Sequence, residues 1–382
     1  MVTTEIKTIK PAAGGGGDYS SLNAWELAER ANAYPTIPNG NLVSADKIKV
    51  AEVYSGGNAI TAQLNINRNN WTTDATRYII IRAAAGHEHT GVWNTSKAYI
   101  LNASIPLLCQ YVVNVKIERM QIKGTGNAAI YSWAYVDNFG GMDLDQCLIM
   151  GSPSGGYRGV IDFVVSSWER DLYVRNCIII DQSSVNANFV IQNESNKGFK
   201  IYVYNSTLIG NSQATVYGIY SICPSVSQNN YIKATICYAG CTPGANDATS
   251  NANAVTLNLR NVAYSTANFI NVTPGSENLR LVVSQANKLI DNGANLASSG
   301  VTTDIVGTAR PLFGGFDIGA FENDVPICWN YTARYKNSNK LFKASGCGSF
   351  PRNLQVPSNV DSSTGKMVDD GIFISPDRYN IT

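Results

Sequence analysis

Charge is what this chain has least of. Asp, Glu, Lys and Arg make up 15 % of its 382 residues, against ~25 % in an ordinary soluble domain. Lys plus Arg number 29 and Asp plus Glu 28, and no basic run stands out. Sequence-independent phosphate binding needs clustered Lys and Arg, so nucleic acid is not expected as a partner. No stretch of eighteen apolar residues occurs, which excludes a membrane-spanning helix. The start, Met1-Val2-Thr3-Thr4-Glu5-Ile6-Lys7, has no long apolar core or small-residue cleavage site, so no secretory signal is expected. Repeated Asn-x-Ser/Thr triplets then follow from composition and do not mark glycan sites.

Histidine occurs twice, at His87 and His89. In extended chain both point the same way, but two imidazoles are too few for a closed zinc site, and loop side chains without metal are expected. Eight cysteines are present. Cys109, Cys147 and Cys177 lie in apolar runs and read as buried thiols. Cys237 and Cys241 form a C-x-x-x-C pair, and Cys328 with Cys347 could bridge the tail. No fixed second ligand pair follows to make a zinc site. No cofactor and no metal is expected.

What the chain does have is a repeat. Six segments share the form apolar-x-apolar-x-x-small-x-apolar: Val115-Ile117-Met120-Ile122, Met142-Leu144-Cys147-Ile149, Leu172-Val174-Cys177-Ile179, Ile201-Val203-Ser206-Leu208, Ile232-Ala234-Cys237-Ala239 and Leu257-Leu259-Val262-Tyr264. Their third positions step by 27, 30, 29, 31 and 25 residues, a period that points to a solenoid. Period-two alternation, a two-residue break and renewed alternation describe two short strands meeting at a corner. No crossover helix separates the units, so the expectation is an all-β parallel β-helix. Arg119, Gln146, Asn176, Asn205, Ile236 and Asn261 stand just before the third positions. Asn tolerates left-handed backbone and can stack amide on amide.

Three parts are expected. Residues 1–17 hold a short strand and a Gly-rich joint, and 18–322 hold a helix and the solenoid. The helix, about Ser21 to Asn32, follows N-cap oxygens in Asp18–Ser21. It places Leu22, Trp25 and Ala28 on one face, Leu27 and Ala31 beside it, and Glu26, Glu29 and Arg30 toward water. A β-helix exposes a raw strand edge at each end, and this helix is placed to cover the first. Residues 323–382 lose the period and read as a small C-terminal capping or assembly domain. Gly124-Thr125-Gly126-Asn127-Ala128-Ala129 matches a dinucleotide fingerprint, but 131–136 alternate as a strand where that fold needs a helix, so the match is rejected.

Two sets of residues could carry function. Alternation over 130–136 turns Tyr131, Trp133 and Tyr135 outward, and Trp168 lies among charges between coils. Later coils carry Asp162, Gln192, Tyr217 and Tyr220 in equivalent places. Such a row can stack on sugar rings or form a subunit interface. Asp143 and Asp145 flank Leu144 on one outward face, roughly 7 Å apart by strand geometry, with Glu118 one coil away. Paired carboxyls at such spacing suit glycoside hydrolysis. A lyase would want a Ca²⁺-binding carboxylate cluster beside a basic residue, and no compact one is seen.

Arg310-Pro311, followed by Asp317-Ile318-Gly319-Ala320-Phe321-Glu322, resembles the closing coil of right-handed parallel β-helix proteins of bacteria and phages. The 17–26 stretch Gly-Asp-Tyr-Ser-Ser-Leu-Asn-Ala-Trp-Glu, the 71–78 stretch Trp-Thr-Thr-Asp-Ala-Thr-Arg-Tyr and the region 86–97 resemble phage and prophage β-helix virion proteins, tailspike-like or capsid-decorating. The resemblance implies a right-handed β-helix and a homotrimer assembled in the host cytoplasm into the virion. It also implies a role as tailspike, tail fibre or capsid decoration, with other virion proteins and a host surface polysaccharide as partners. The alternative is a polysaccharide hydrolase or lyase on the same fold, and fold alone does not separate the two.

Overall fold

The computed structural model describes residues 1–11, 16–32, 40–55, 63–67, 70–110, 114–134, 141–154, 158–165, 171–186, 188–194, 200–222, 225–239, 246–251, 259–284, 287–312, 315–324, 328–334, 341–347 and 377–379. Three long parallel sheets dominate it. The first contains, in spatial order, Thr3–Ile9, Lys47–Val53, Ile79–Ala83, Val115–Glu118, Met142–Asp145, Leu172–Arg175, Ile201–Tyr204 and Ser225–Gln228. The second runs from Tyr99–Asn102 through Gln121–Gly124, Leu148–Gly151, Ile178–Asp181, Thr207–Ile209, Tyr231–Lys233 and Ala248–Thr249 to Arg260–Asn261. The third holds Leu64–Asn67, Leu107–Gln110, Ile130–Ala134, Gly159–Val165, Asn188–Asn193, Val216–Ser221 and Ile236–Ala239. From Val115 onward the chain visits first, second and third sheet in turn and then starts again, which is the path of a parallel β-solenoid. Eight strands at a spacing of ~4.8 Å span about 34 Å.

Stacking is in register, like over like. Val115, Met142, Leu172 and Ile201 form one inward column of the first sheet; Ile117, Leu144, Val174 and Val203 form the next. Ile100, Ile122, Ile149, Ile179, Leu208 and Ile232 do the same in the second sheet. All of these are buried. The thiols of Cys147 and Cys177 are buried and free, and each donates to backbone carbonyls of its own and the preceding coil.

The corner between first and second sheets is where the sequence pattern carries most. Arg119, Gln146, Asn176 and Asn205 have φ of 58°, 56°, 51° and 45°, the left-handed region that Asn visits at low cost. The next coil departs from the expected alignment. Its corner is Asn229, with φ of 58°, between Ser225–Gln228 and Tyr231–Lys233. Cys237 belongs to a third-sheet strand, and Ile236 is no corner residue. The apolar template misses this coil because Ser227 occupies the inward place, buried with its hydroxyl bonded to Asp247 at 2.6 Å. Asn261 likewise lies in a strand paired with Thr249, while Leu257 falls outside the described residues.

The described residues of 262–323 do not continue the coils. They fold back over the outer face of the second sheet and bury Leu148, Met150, Ile178, Ile180 and Ile209 beneath Phe269, Leu281, Leu289, Ile305, Ile318 and Phe321. This explains why second-sheet strands such as Leu148-Ile149-Met150 are apolar on both faces. The corner amides hold this strap. Asn205 Nδ2 donates to the Asp317 carbonyl at 2.7 Å. Asn229 donates to the Ala294 carbonyl and accepts from its N–H, both at 2.8 Å. Gln146 Nε2 donates to Thr303 Oγ1 at 3.1 Å. The strap presses so close at Gly91 that a Cβ there would stand 2.2 Å from the Phe321 ring.

The Arg310–Glu322 stretch, expected as a closing coil, is the knot that shapes the strap. Arg310 Nη1 donates to Glu322 Oε2 at 2.9 Å and Nη2 to the Gly319 carbonyl at 2.9 Å. Glu322 also accepts from the Leu312 and Asp317 N–H groups.

At the start of the chain, Thr3–Ile9 pairs along its whole length with Lys47–Val53, so the N-terminal strand opens the first sheet. Gly16 and Gly17 are described, while 12–15 of the expected joint are not. The helix Leu22–Asn32 is N-capped by Ser21 Oγ, which accepts from the Ala24 N–H at 3.1 Å. Leu22 and Trp25 are fully buried, and Trp25 stacks on Trp71 with ring centroids 6.0 Å apart. Its polar face differs from expectation. Glu26 and Glu29 are buried while Leu27 is 54 % exposed, because Trp71 and Lys49 offer partners inside. In the tail, Cys328–Arg334 pairs antiparallel with Leu341–Cys347 and with Asp377–Tyr379, which sets Cys328 opposite Cys347.

Asn205 is the sharpest test of this corner. Asn205→Ala loses the bond to the strap and leaves a Cβ residue at positive φ, and is expected to cost about 3 kcal/mol in denaturant unfolding. Asn205→Gly restores the backbone freedom and should cost about 1–2 kcal/mol. Equal losses for both would mean that the backbone conformation contributes nothing.

Candidate functional site

The outward side chains of the first sheet form two columns. Lys116, Asp143, Tyr173 and Tyr202 are register neighbours in one. Arg82, Glu118, Asp145, Arg175 and Tyr204 follow one another in the next. Alternation alone puts them there, because Val115, Ile117, Leu144 and Val174 point inward. The three expected carboxylates therefore do come together, with Glu118 directly beside Asp145 and Asp143 two residues before it.

Two of the three carboxylates already have partners. Asp143 Oδ2 accepts from Arg175 Nη2, and Arg175 also reaches the Ser299 carbonyl of the strap at 3.3 Å. Asp145 Oδ1 accepts from Asn176 Nδ2 at 3.0 Å. Burial pushes the Asp145 carboxyl up to about 6; Asn176 and Arg175 oppose the shift, and the charges of Asp143 and Glu118 add to it. Asp145 thus carries its proton into the weakly acidic range beside an acidic neighbour, which is the electrostatic half of an acid–base pair.

A groove of about 320 Å³ opens beside this cluster, lined among others by Tyr78, Lys116, Asp143, Asp171 and Tyr173. The Lys116 ammonium lies 4.4 Å above the Tyr78 ring. Tyr173 and Tyr202 stack at 4.8 Å with planes 8° apart, and the Arg175 guanidinium sits 4.9 Å from the Tyr173 centroid. Asp171 accepts from the Lys200 N–H at 2.9 Å. Of the three carboxylates only Asp143 lines the groove. Tyr78, Lys116, Asp171, Tyr173, Arg175 and Tyr202 were not singled out from the sequence, although the alternation around Leu172-Val174 and Ile201-Val203 already turns Tyr173 and Tyr202 outward.

The aromatic set lies elsewhere. Tyr131 and Trp133 are on the third sheet, in Ile130–Ala134, so Trp133 does not share a strand face with the carboxylates. Tyr131 is outward and half-buried, 5.8 Å from the Arg158 guanidinium. Tyr135 and Trp168 lie outside the described residues, as does the side chain of Trp133. The register neighbours Asp162 and Gln192 are each 1 % exposed, so this column is covered rather than open at those two positions.

The histidines have separate structural tasks. His87 Nδ1 takes the Ser55 N–H at 3.2 Å, and the ring packs on Tyr54. His89 is buried, accepting from the Gly91 N–H at Nδ1 and donating from Nε2 to the Gln146 carbonyl at 2.9 Å. Burial lowers its pKa to about 4, so it is neutral. Among the described residues no group of three or more His, Cys, Asp or Glu could hold a metal, and no helix is long and apolar enough to cross a membrane.

The fold and this face define a β-solenoid with a charged, tyrosine-lined groove. No family model matches the chain, and neither does any curated protein or solved structure.

Asp162 offers a pH test. Burial pushes its carboxyl up to about 7; Arg158 opposes the shift and the Glu194 charge adds to it. Its Oδ1 and the Gln192 Oε1 are both buried without a hydrogen-bond partner. A proton on Asp162 can serve both, given their register pairing. Folded Asp162 keeps its proton to about pH 7 while an unfolded one loses it near 3.8. The stability it confers is therefore full below ~pH 4 and is lost as pH rises through 7. Asp162→Asn should lie closer to wild type at pH 4 and gain about 3 kcal/mol relative to it by pH 8. Parallel pH–stability curves for the two proteins would rule this out.

Proposed function

We propose that this chain is a structural protein of a bacteriophage virion. In this reading it is a trimeric, right-handed β-helix acting as tailspike, tail fibre or capsid decoration, with a face that contacts host surface glycan. The helix Leu22–Asn32, lying against the first coils, serves as the N-terminal cap. Residues 323–382 serve as the C-terminal capping and assembly domain.

The single observation that carries a structural over a catalytic role is the state of the carboxylates. Asp143, the one that reaches the groove, is tied to Arg175. Asp145 and Glu118 lie farther along their strands, outside the groove lining. Hydrolysis needs both carboxyls to flank one scissile bond, and this arrangement puts one at the opening and the others beyond it. The groove instead offers what adhesion uses: flat phenol rings for sugar faces, with Lys116 and Asp171 for hydroxyls or acidic groups.

Polysaccharide hydrolysis is the second reading, favoured by the raised pKa of Asp145 next to Glu118.

Light scattering of the purified protein, with and without cell-surface polysaccharide from a plausible host, separates the two. The expected result is a stable trimer of the 41.2 kDa chain that leaves the polymer at full length. Tyr173→Ala should then weaken polysaccharide binding about tenfold, the loss of one stacking contact. A monomer that shortens the polymer, with Asp145→Asn abolishing the cleavage, would replace this reading with the enzymatic one.

A further inference from the structure

A buried pair of opposite charges lies at the first coil, where Lys49 faces the helix. Lys49 is 1 % exposed and Glu29 2 %. Lys49 Nζ touches Glu29 Oε2 and lies 2.6 Å from Glu5 Oε2. The Tyr19 hydroxyl donates to the other oxygen of Glu29, Oε1, at 2.6 Å. Lys47 Nζ approaches Glu5 Oε2 from the outside at 3.0 Å. This cluster belongs to the end of the core that also holds Ile9, Leu22 and Trp25.

An amine held against a carboxylate oxygen, a second carboxylate on the same nitrogen and a hydroxyl on the other oxygen are the parts from which an intramolecular aminolysis can start. From this geometry we propose that Lys49 and Glu29 become joined by an amide bond between Nζ and Cδ, formed by the folded protein itself. Glu5 is the proton carrier and Tyr19 the donor to the developing oxyanion.

The ammonium of Lys49 passes one proton through Glu5 to Glu29 Oε2. The free amine attacks Cδ, and the electron pair of the carbonyl moves onto Oε1, where the Tyr19 O–H receives it. A second proton leaves the nitrogen through Glu5 to Oε2, which departs as water while the carbonyl re-forms. One water is released, Glu5 ends as it began, and no oxidant, reductant or cofactor is required.

Two physical effects drive the reaction. A buried ammonium and carboxylate are both costly to desolvate, and the product is a neutral amide in their place. Holding the two groups side by side supplies an effective concentration on the order of 10⁵–10⁸ M, which lowers the barrier to attack. The bond would tie the helix to the second strand of the first sheet, closing the start of the solenoid covalently.

The test is the mass of the denatured protein. The expected mass is lower than the sequence by one water, about 18 Da, with a proteolytic peptide in which Lys49 is joined to Glu29. Lys49→Arg should show its full sequence mass. Glu29→Gln should release ammonia and converge on the same joined mass as wild type, a result that a simple ion pair cannot give. Glu5→Gln should remain folded by circular dichroism yet keep its full mass. Natively folded wild-type protein at full sequence mass, with no joined peptide, would overturn the proposal and leave Lys49 as an ion pair only. Joining in Glu5→Gln at the wild-type rate would remove Glu5 from the mechanism.

Discussion

Everything in this molecule depends on turning a strand through a corner without wasting a backbone hydrogen-bonding group. The solution is one residue per coil at positive φ, five times in succession from Arg119 to Asn229. Once that residue is fixed, the strands on either side keep their register from coil to coil. The same inward position is then filled by the same kind of side chain in each. The corner does more than bend the chain. A left-handed residue with a carboxamide leaves that amide free to bind something, and here Gln146, Asn205 and Asn229 all bind the backbone of the strap. Two problems, a strained turn and an uncovered sheet, are met by one residue type.

That arrangement also accounts for the shortage of charge. A solenoid with three sheets would normally present three wet faces. The second is roofed by 262–323 and needs apolar residues on both sides. The third is partly covered, since Asp162 and Gln192 are nearly inaccessible. Among the described strands, ionic side chains concentrate on the outer face of the first sheet, where Arg82, Glu118, Asp145 and Arg175 succeed one another along one column. Oppositely charged neighbours on adjacent strands stabilise such a column, while the Glu118–Asp145 adjacency opposes it and leaves Asp145 holding a proton more tightly.

How much of this was legible beforehand follows from which signals are local. Alternation and a recurring Asn are local, so the β-helix and the corner residues up to Asn205 could be read directly. The coil at Asn229 escapes the apolar template because Ser227 replaces an apolar residue inward, and its compensation, Asp247, lies 20 positions away. Periodicity extends the coils over the strap because an apolar segment looks the same whether it pairs in a sheet or lies across one. A helix wheel turns Glu26 and Glu29 outward. Their partners, Trp71 and Lys49, are distant in sequence, and a helix wheel cannot show them. The candidate site divides the same way: the carboxylates were found because they alternate along single strands, whereas Arg175, Lys116 and the stacked tyrosines gain meaning only from register.

The two ends of this logic meet in the polar residues of the interior. Along the body of the solenoid, much of the buried polarity is neutral: amides, hydroxyls and thiols, several of which bond to a neighbouring coil. Such groups cost little to bury because their partners arrive with the register. At the first coil the structure uses full charges, with Lys49 held between Glu5 and Glu29. A charge pair is the expensive way to fill that place. The end of the repeat is therefore where the chemistry of the core changes, from hydrogen bonds that follow from the fold to reactive groups that the fold must hold in place.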